Sequence, residues 1–247
     1  ITRVFSRGLL GFSRASLSDI SLGANGDMSS FSWVPYNKGG PARKWSNNST
    51  LCVYWKHNGL AVRESGVANG EDSYLKEGIT WSGLTSSIVT FRHSAPGYIF
   101  DSNKGAMMFP PSDQIHYILG FLNSAIANEV LSALNPTLST QNGDIDRLPV
   151  YSEDDSLRNA VGERVKRLLD ISYWDWNAYE RSWDFSVNTL LAERNQEASA
   201  DLKTCYSIFA NKSADFAAET TQLEESNNEG FYSCYRMAEE IRPVIPA

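Results

Sequence analysis

The spacing of apolar residues changes near residue 110, and the change separates two kinds of structure. Between Leu51 and Pro110 the apolar residues come in short runs. Leu51 to Trp55, Ser87 to Arg92 and Tyr98 to Asp101 are rich in β-branched and aromatic side chains. Such side chains suit a pleated, half-buried surface, so these runs predict strands. Asn58-Gly59, Asn69-Gly70 and Pro96-Gly97 supply turn chemistry between them. Residues 1–50 are rich in Gly, Ser and Asn and predict loops with short strands. The first half therefore reads as an irregular, mostly antiparallel sheet.

After Pro110-Pro111 the period becomes helical. Ile115, Leu119, Leu122, Ile126, Val130 and Leu134 recur at spacings of three and four, which predicts one helix with one apolar face. Ser112 or Asp113 can cap it. Asn135-Pro136 ends it, because the residue before proline is pushed out of the helical region. Leu157, Val161, Val165, Leu168 and Leu169 predict a second amphipathic helix, followed by an aromatic cluster from Tyr173 to Phe185. A long helix is expected from Thr189 to about Ser226, broken by Asn227 to Glu229 before a final short one. Leu202, Phe209, Phe216 and Leu223 fall seven apart within it, but Cys205, Lys212 and Glu219 interrupt a coiled-coil seam. The expected fold is α+β: a β-rich domain over 1–150, then a helical region over 151–247.

Composition adds limits. The 247 residues suffice for a buried core. No apolar run approaches the roughly 20 residues of a membrane span; the expectation of a cytoplasmic protein rests on the three cysteines, read as reduced, mostly buried thiols. The net charge of −7 is unevenly spread: residues 1–110 hold 11 Lys and Arg against 7 Asp and Glu, whereas the remainder holds 11 against 22. A mildly basic half beside a strongly acidic one suggests two jobs, although acidic helices are often simply solvated. Cys52, Cys205 and Cys234 are odd in number and far apart, which supports neither a disulfide framework nor a zinc site. The Arg- and Ser-rich start superficially resembles a transit peptide, but the missing initiator Met makes a fragment of a longer protein the simpler expectation.

Catalytic equipment is hard to find. The chain has no phosphate-loop signature and no nucleophile elbow, and Gly23, Gly26, Gly39 and Gly40 form no dinucleotide fingerprint. His57, His93 and His116 lie far apart with no adjacent ligand pattern, so no metal is expected. Amino-methyltransferases carry an Asn/Asp-Pro-Pro-aromatic motif for the target amine. Here Asn135-Pro136 is followed by Thr137 and Leu138, and no glycine-rich loop for S-adenosylmethionine precedes it. No catalytic residues are expected in this chain.

Five segments, in order, carry a resemblance. They are Trp33-Val34-Pro35-Tyr36-Asn37-Lys38-Gly39-Gly40 with Arg43-Lys44-Trp45; Tyr74-Leu75-Lys76-Glu77-Gly78-Ile79-Thr80-Trp81-Ser82; and Gly97-Tyr98-Ile99-Phe100-Asp101 with Phe109-Pro110. The fourth runs from Leu119-Gly120-Phe121-Leu122-Asn123-Ser124 to Leu148-Pro149-Val150, and the fifth is Glu180-Arg181-Ser182-Trp183-Asp184-Phe185. Together they resemble the C-terminal part of PglX-type adenine-specific DNA methyltransferases of BREX phage defence and of type IIG restriction-modification enzymes, with a TaqI-like specificity domain. The chain departs from that pattern in a shortened Gly-rich stretch, Gly26 to Phe31, and in its tail. The resemblance implies a target-recognition region that binds double-stranded DNA while a separate core, with S-adenosylmethionine, methylates a flipped adenine. The acidic charge of the helical half motivates a separate expectation, that this part docks on the methyltransferase core or on another defence-system subunit.

A sequence reader needs cations for phosphates and forked or amide side chains for base edges. The candidates are Asn37, Lys38, Arg43, Lys44, Lys76, Thr80, Ser82, Arg92, Asn103 and Lys104. Gly39-Gly40 is read either as a close approach of backbone to phosphate or as a plain turn. Trp45 and Trp81 are expected in the core, since a duplex offers them no unstacked base. The alternative function is a scaffold of the same defence system that does not bind DNA.

Overall fold

A computed structural model describes residues 4–6, 33–65, 70–86, 88–102, 105–151, 154–196 and 201–237. Two four-stranded sheets make up the first part. One has the order β1 (Val4–Ser6), β4 (Leu51–Tyr54), β2 (Trp33–Asn37), β7 (Ile99–Phe100); the other has β3 (Trp45–Ser46), β6 (Phe91–Ser94), β5 (Gly78–Trp81), β8 (Met107–Met108). Pairing is antiparallel except for β2 with β7 and β3 with β6. The mostly antiparallel α+β expectation holds, and the strand runs sit within a few residues of their predicted places.

Side chains alternate across a strand, and the second sheet uses this to serve two neighbours. Ile79, Trp81 and Phe91 point into the main core with Trp45. Thr80, Arg92 and Ser94 lie between them, and Ser94 meets Asn37 of the first sheet. A smaller core of Val34, Val53, Trp55, Val62, Leu75 and Ile99 lies under helix α1 (Lys56–Glu64).

The single helix expected after Pro110 is two: α2 (Ile115–Leu122) and α3 (Ala125–Leu134), bent by 65°. The reason is Asn123-Ser124. The Asn123 amide turns away to bond both the N–H and the carbonyl of Phe91, at 3.0 and 2.9 Å, as a strand partner would. Ser124 then caps α3 by accepting from the Ala127 N–H. Neither Ser112 nor Asp113 caps α2; its first residue follows Gln114. Asn135 ends α3 as expected, and the short α4 (Asn142–Ile145) follows.

Helix α5 (Asp155–Asn177) starts at Asp154, whose carboxylate accepts from the N–H groups of Ser156 and Leu157. It runs further than its aliphatic stripe indicated, so Tyr173, Trp174 and Trp176 sit on its last turns. The expected Thr189–Ser226 helix is also divided, into α6 (Thr189–Gln196) and α7 (Leu202–Tyr235), with Asp201 capping the second. Asn227 and Asn228 do not break α7. Both are buried and have structural partners: Arg164 donates to Asn227, and the Asn228 carbonyl oxygen accepts from the Ala125 N–H at the start of α3.

The main core draws on both sides of residue 150. Leu119, Phe121 and Leu122 meet Val161, Val165 and Leu168 of α5 and Phe231 and Tyr232 of α7. No single described helix is long and apolar enough to cross a membrane.

Helices α2 and α5 cross at Gly120, where an added Cβ would lie 2.5 Å from Val161 Cγ1 and 3.0 Å from Val165 Cγ2. Gly120→Ala is therefore expected to destabilise the fold by about 1–3 kcal/mol through overpacking. Gly162, on α5, has nothing within 4 Å of that position. Gly162→Ala is expected to stabilise by about 1 kcal/mol through helix propensity. Urea unfolding of the two variants checks the opposite signs.

Candidate nucleic-acid interface

The segment from Lys38 to Asn48 joins the two sheets, and its backbone is unusual. Gly39 and Gly40 have φ of 78° and 117°, and Trp45, Asn47 and Asn48 also lie in the left-handed region. Glycine adopts such angles freely; residues with a Cβ do so only when their surroundings hold them there. Helical residues far along the chain supply that hold here. The buried Glu224 carboxylate accepts from Lys44 Nζ at 2.6 Å and from the Trp45 indole N–H at 2.7 Å. Arg43 bonds Asp175 at 2.8 Å and the Ser172 carbonyl at 3.2 Å, and its guanidinium stacks 5.1 Å over Trp176. Lys44, Trp174, Phe216 and Glu224 are among the residues lining a cleft of about 400 Å³ beside this joint.

The two ion pairs differ in worth. Arg43 and Asp175 are 25% and 49% exposed, so water screens them and the pair itself contributes about 0–1 kcal/mol. Lys44 and Glu224 are 21% and 9% exposed. Removing one partner there strands polar groups below the surface, which costs more.

The predicted contact residues fall into distinct groups. Lys38 and Lys76 are exposed; Lys38 lies 5.8 Å over the Tyr36 ring. Arg43 and Lys44 are half-buried in the joint just described. Asn37, Thr80, Ser82 and Arg92 are buried. Asn37 donates to Ser94 Oγ at 2.8 Å and accepts from Ser49 Oγ at 3.0 Å. Thr80 donates to the Ala106 carbonyl at 3.0 Å, and Ser82 to the Gly40 carbonyl at 2.8 Å. These bonds tie the sheets and the glycine loop together. Asn103 and Lys104 lie outside the described residues.

Arg92 is the most confined of those that are described, at 1% exposure. One guanidinium nitrogen donates to Ser82 Oγ at 3.3 Å; the other terminal nitrogen has no hydrogen-bond partner among the described residues. Burial, and then the nearby Arg43 charge, pull its pKa down to about 10.

Two histidines that are 23 positions apart in sequence come together, which spacing alone could not show. His93 and His116 stack with centroids 6.3 Å apart, and His93 bonds Glu77 at 2.8 Å and Tyr173 at 3.2 Å. No group of three metal-ligating side chains occurs among the described residues. Asn135 donates to the Ser139 carbonyl and to Asp144, and its oxygen accepts from Thr137. That geometry builds a turn and does not fit a residue that holds a methyl-accepting amine.

The chain is 29% identical over 222 residues to "Adenine-specific methyltransferase PglX" of Lacticaseibacillus casei. It is 30% identical over 176 residues to "Adenine-specific methyltransferase BrxX" of Escherichia coli. The chain is homologous to these adenine-specific methyltransferases. The matches cover 85% and 70% of this chain but only 18% and 14% of the two relatives. No protein-family model matches it.

Glu224→Ala removes the shared acceptor of Lys44 and Trp45. A loss of about 1–3 kcal/mol in urea unfolding is expected, with a smaller loss for Glu224→Gln, which keeps an acceptor for the indole. Acid should also weaken the fold through His116. Burial, then the His93 and Lys166 charges, hold its pKa below the ordinary 6.5, against the opposing pull of Glu77 and Glu163. The unfolded chain then binds more protons, so this contribution is complete above pH 6.5 and is lost as pH falls towards the lowered value. His116→Asn should flatten that part of the stability curve.

Proposed function

We propose that this chain is the DNA target-recognition module of an adenine-specific DNA methyltransferase in phage defence, a TaqI-like specificity domain. In this reading the catalytic core and its S-adenosylmethionine site belong to the rest of the parent protein. The homology to PglX and BrxX carries the reading. Support comes from the free cations: Lys38, beside the glycine loop, and Lys76 are exposed and hold no carboxylate among the described residues. Such lysines release counterions when they meet phosphates, so binding weakens steeply with salt. The buried Asn37, Thr80, Ser82 and Arg92 act from below, by fixing the loop that presents Lys38. The helical region docks the module on the methyltransferase core.

A scaffold reading draws on one observation. Arg43 and Lys44 already hold Asp175 and Glu224, which leaves fewer cations for DNA. Fluorescence-anisotropy titration of duplex DNA across a salt series separates the two. The recognition reading expects log K to fall linearly with log salt, with a slope of about −0.9 per phosphate neutralised. Lys38→Ala and Lys76→Ala should each weaken binding and reduce that slope by about one. A chain that binds no duplex at low salt is either a scaffold or a reader that needs its catalytic core to grip DNA, and partner capture separates those two.

A further inference from the structure

We propose that the turn at His57 and Asn58 is a base-reading contact, with Asn58 selecting an A·T pair in the major groove. The inference rests on the DNA-recognition reading above. It starts from an outlier in the backbone. After β4 the chain buries Trp55 in the smaller core, at 2% exposure, and then passes through three successive left-handed residues: His57, Asn58 and Gly59, with φ of 56°, 55° and 71°. Left-handed angles crowd the Cβ of any L-residue against its own backbone. Glycine escapes that cost; asparagine and histidine tolerate it better than most residues, asparagine chiefly when its side chain bonds locally.

The side chains do not compensate for the strain inside the molecule. Both His57 and Asn58 are exposed, and neither makes a hydrogen bond among the described residues. The turn is held instead from beneath. Gly59 lies flat on the Trp55 ring, where an added Cβ would come within 2.8 Å, and its N–H bonds the Trp55 carbonyl at 2.8 Å. Arg63 stands 6.0 Å over the same ring and pairs with Glu71 at 3.2 Å. An imidazole and an amide are thus displayed to solvent from a rigid base. Strain retained at exposed polar residues is a mark of contact sites, because groups ordered in advance lose little freedom on binding.

The surroundings suit a duplex. Lys56 precedes the turn and is exposed. Val62 of α1 and Leu75 share the smaller core, and Lys76, the residue after Leu75, is exposed; Leu75 is itself left-handed, at φ 67°. Lys56 and Lys76 offer exposed charge for phosphates, and an asparagine amide matches the donor and acceptor that adenine presents in the major groove.

Glycine substitution gives a clean test, because it removes the side chain while keeping, and easing, the left-handed backbone. The full 247-residue chain and its Asn58→Gly variant would each select from a randomised duplex pool. The variant should melt no lower than the parent, bind non-selected duplex equally well, and lose about 5- to 100-fold discrimination at one A·T pair. Selection of the same sequence with the same discrimination would overturn the assignment, as would uniform weakening on every sequence. If the parent chain selects no duplex sequence at all, the recognition reading fails and this one with it.

Discussion

The Glu224 carboxylate sits below the surface between a lysine and an indole, and the shape of the glycine loop follows from it. A buried carboxylate is tolerated only where its lone pairs are met, and here both oxygens have donors from the same dipeptide, Lys44 and Trp45. That grip holds Trp45 at an angle an aromatic residue otherwise avoids. Trp45 in turn pairs with Arg92 and places its ring in the main core. One side chain of the acidic helical region therefore sets the path of the basic half.

Amide side chains act as the other fasteners. Asn37 bridges the sheets, Asn123 stands in for a strand beside Phe91, and Asn228 accepts from the first N–H of a helix 103 positions away. Asn123 supplies the bonds a neighbouring strand would give Phe91, Asn228 meets a helix N-terminal N–H that has no intrahelical partner, and Asn37 links the sheets side chain to side chain. The cost of leaving any of these buried groups unmet is on the order of 1–3 kcal/mol, so the joints are specific as well as stable.

Much of this was legible from residue spacing, and the failures have identifiable causes. The strand runs and the stripe from Leu157 to Leu169 showed themselves through burial on one face. The breaks at Asn123-Ser124 and at Asp201 did not, because an unbroken apolar period hides a new cap. Asn227 and Asn228 looked like a helix end because asparagine favours turns in isolation; their buried partners override that preference. The surroundings of the residues expected to contact DNA were harder still to read. Arg43, Lys44 and Arg92 look alike in sequence, but their exposure depends on Asp175, Glu224 and the second sheet, which spacing cannot place beside them. Lys38 and Lys76 differ only in having no such partner among the described residues.

The joint at Glu224 also has a consequence in time. Lys44 and its acceptor are separated by 180 positions. During synthesis the first half leaves the ribosome long before the residue that secures its loop, by on the order of 10–40 s at ordinary elongation rates. Until Glu224 follows, Lys44 and the Trp45 indole lack the acceptor that joins them. The loop nearest the free lysine is thus among the last parts of the molecule to take its final form.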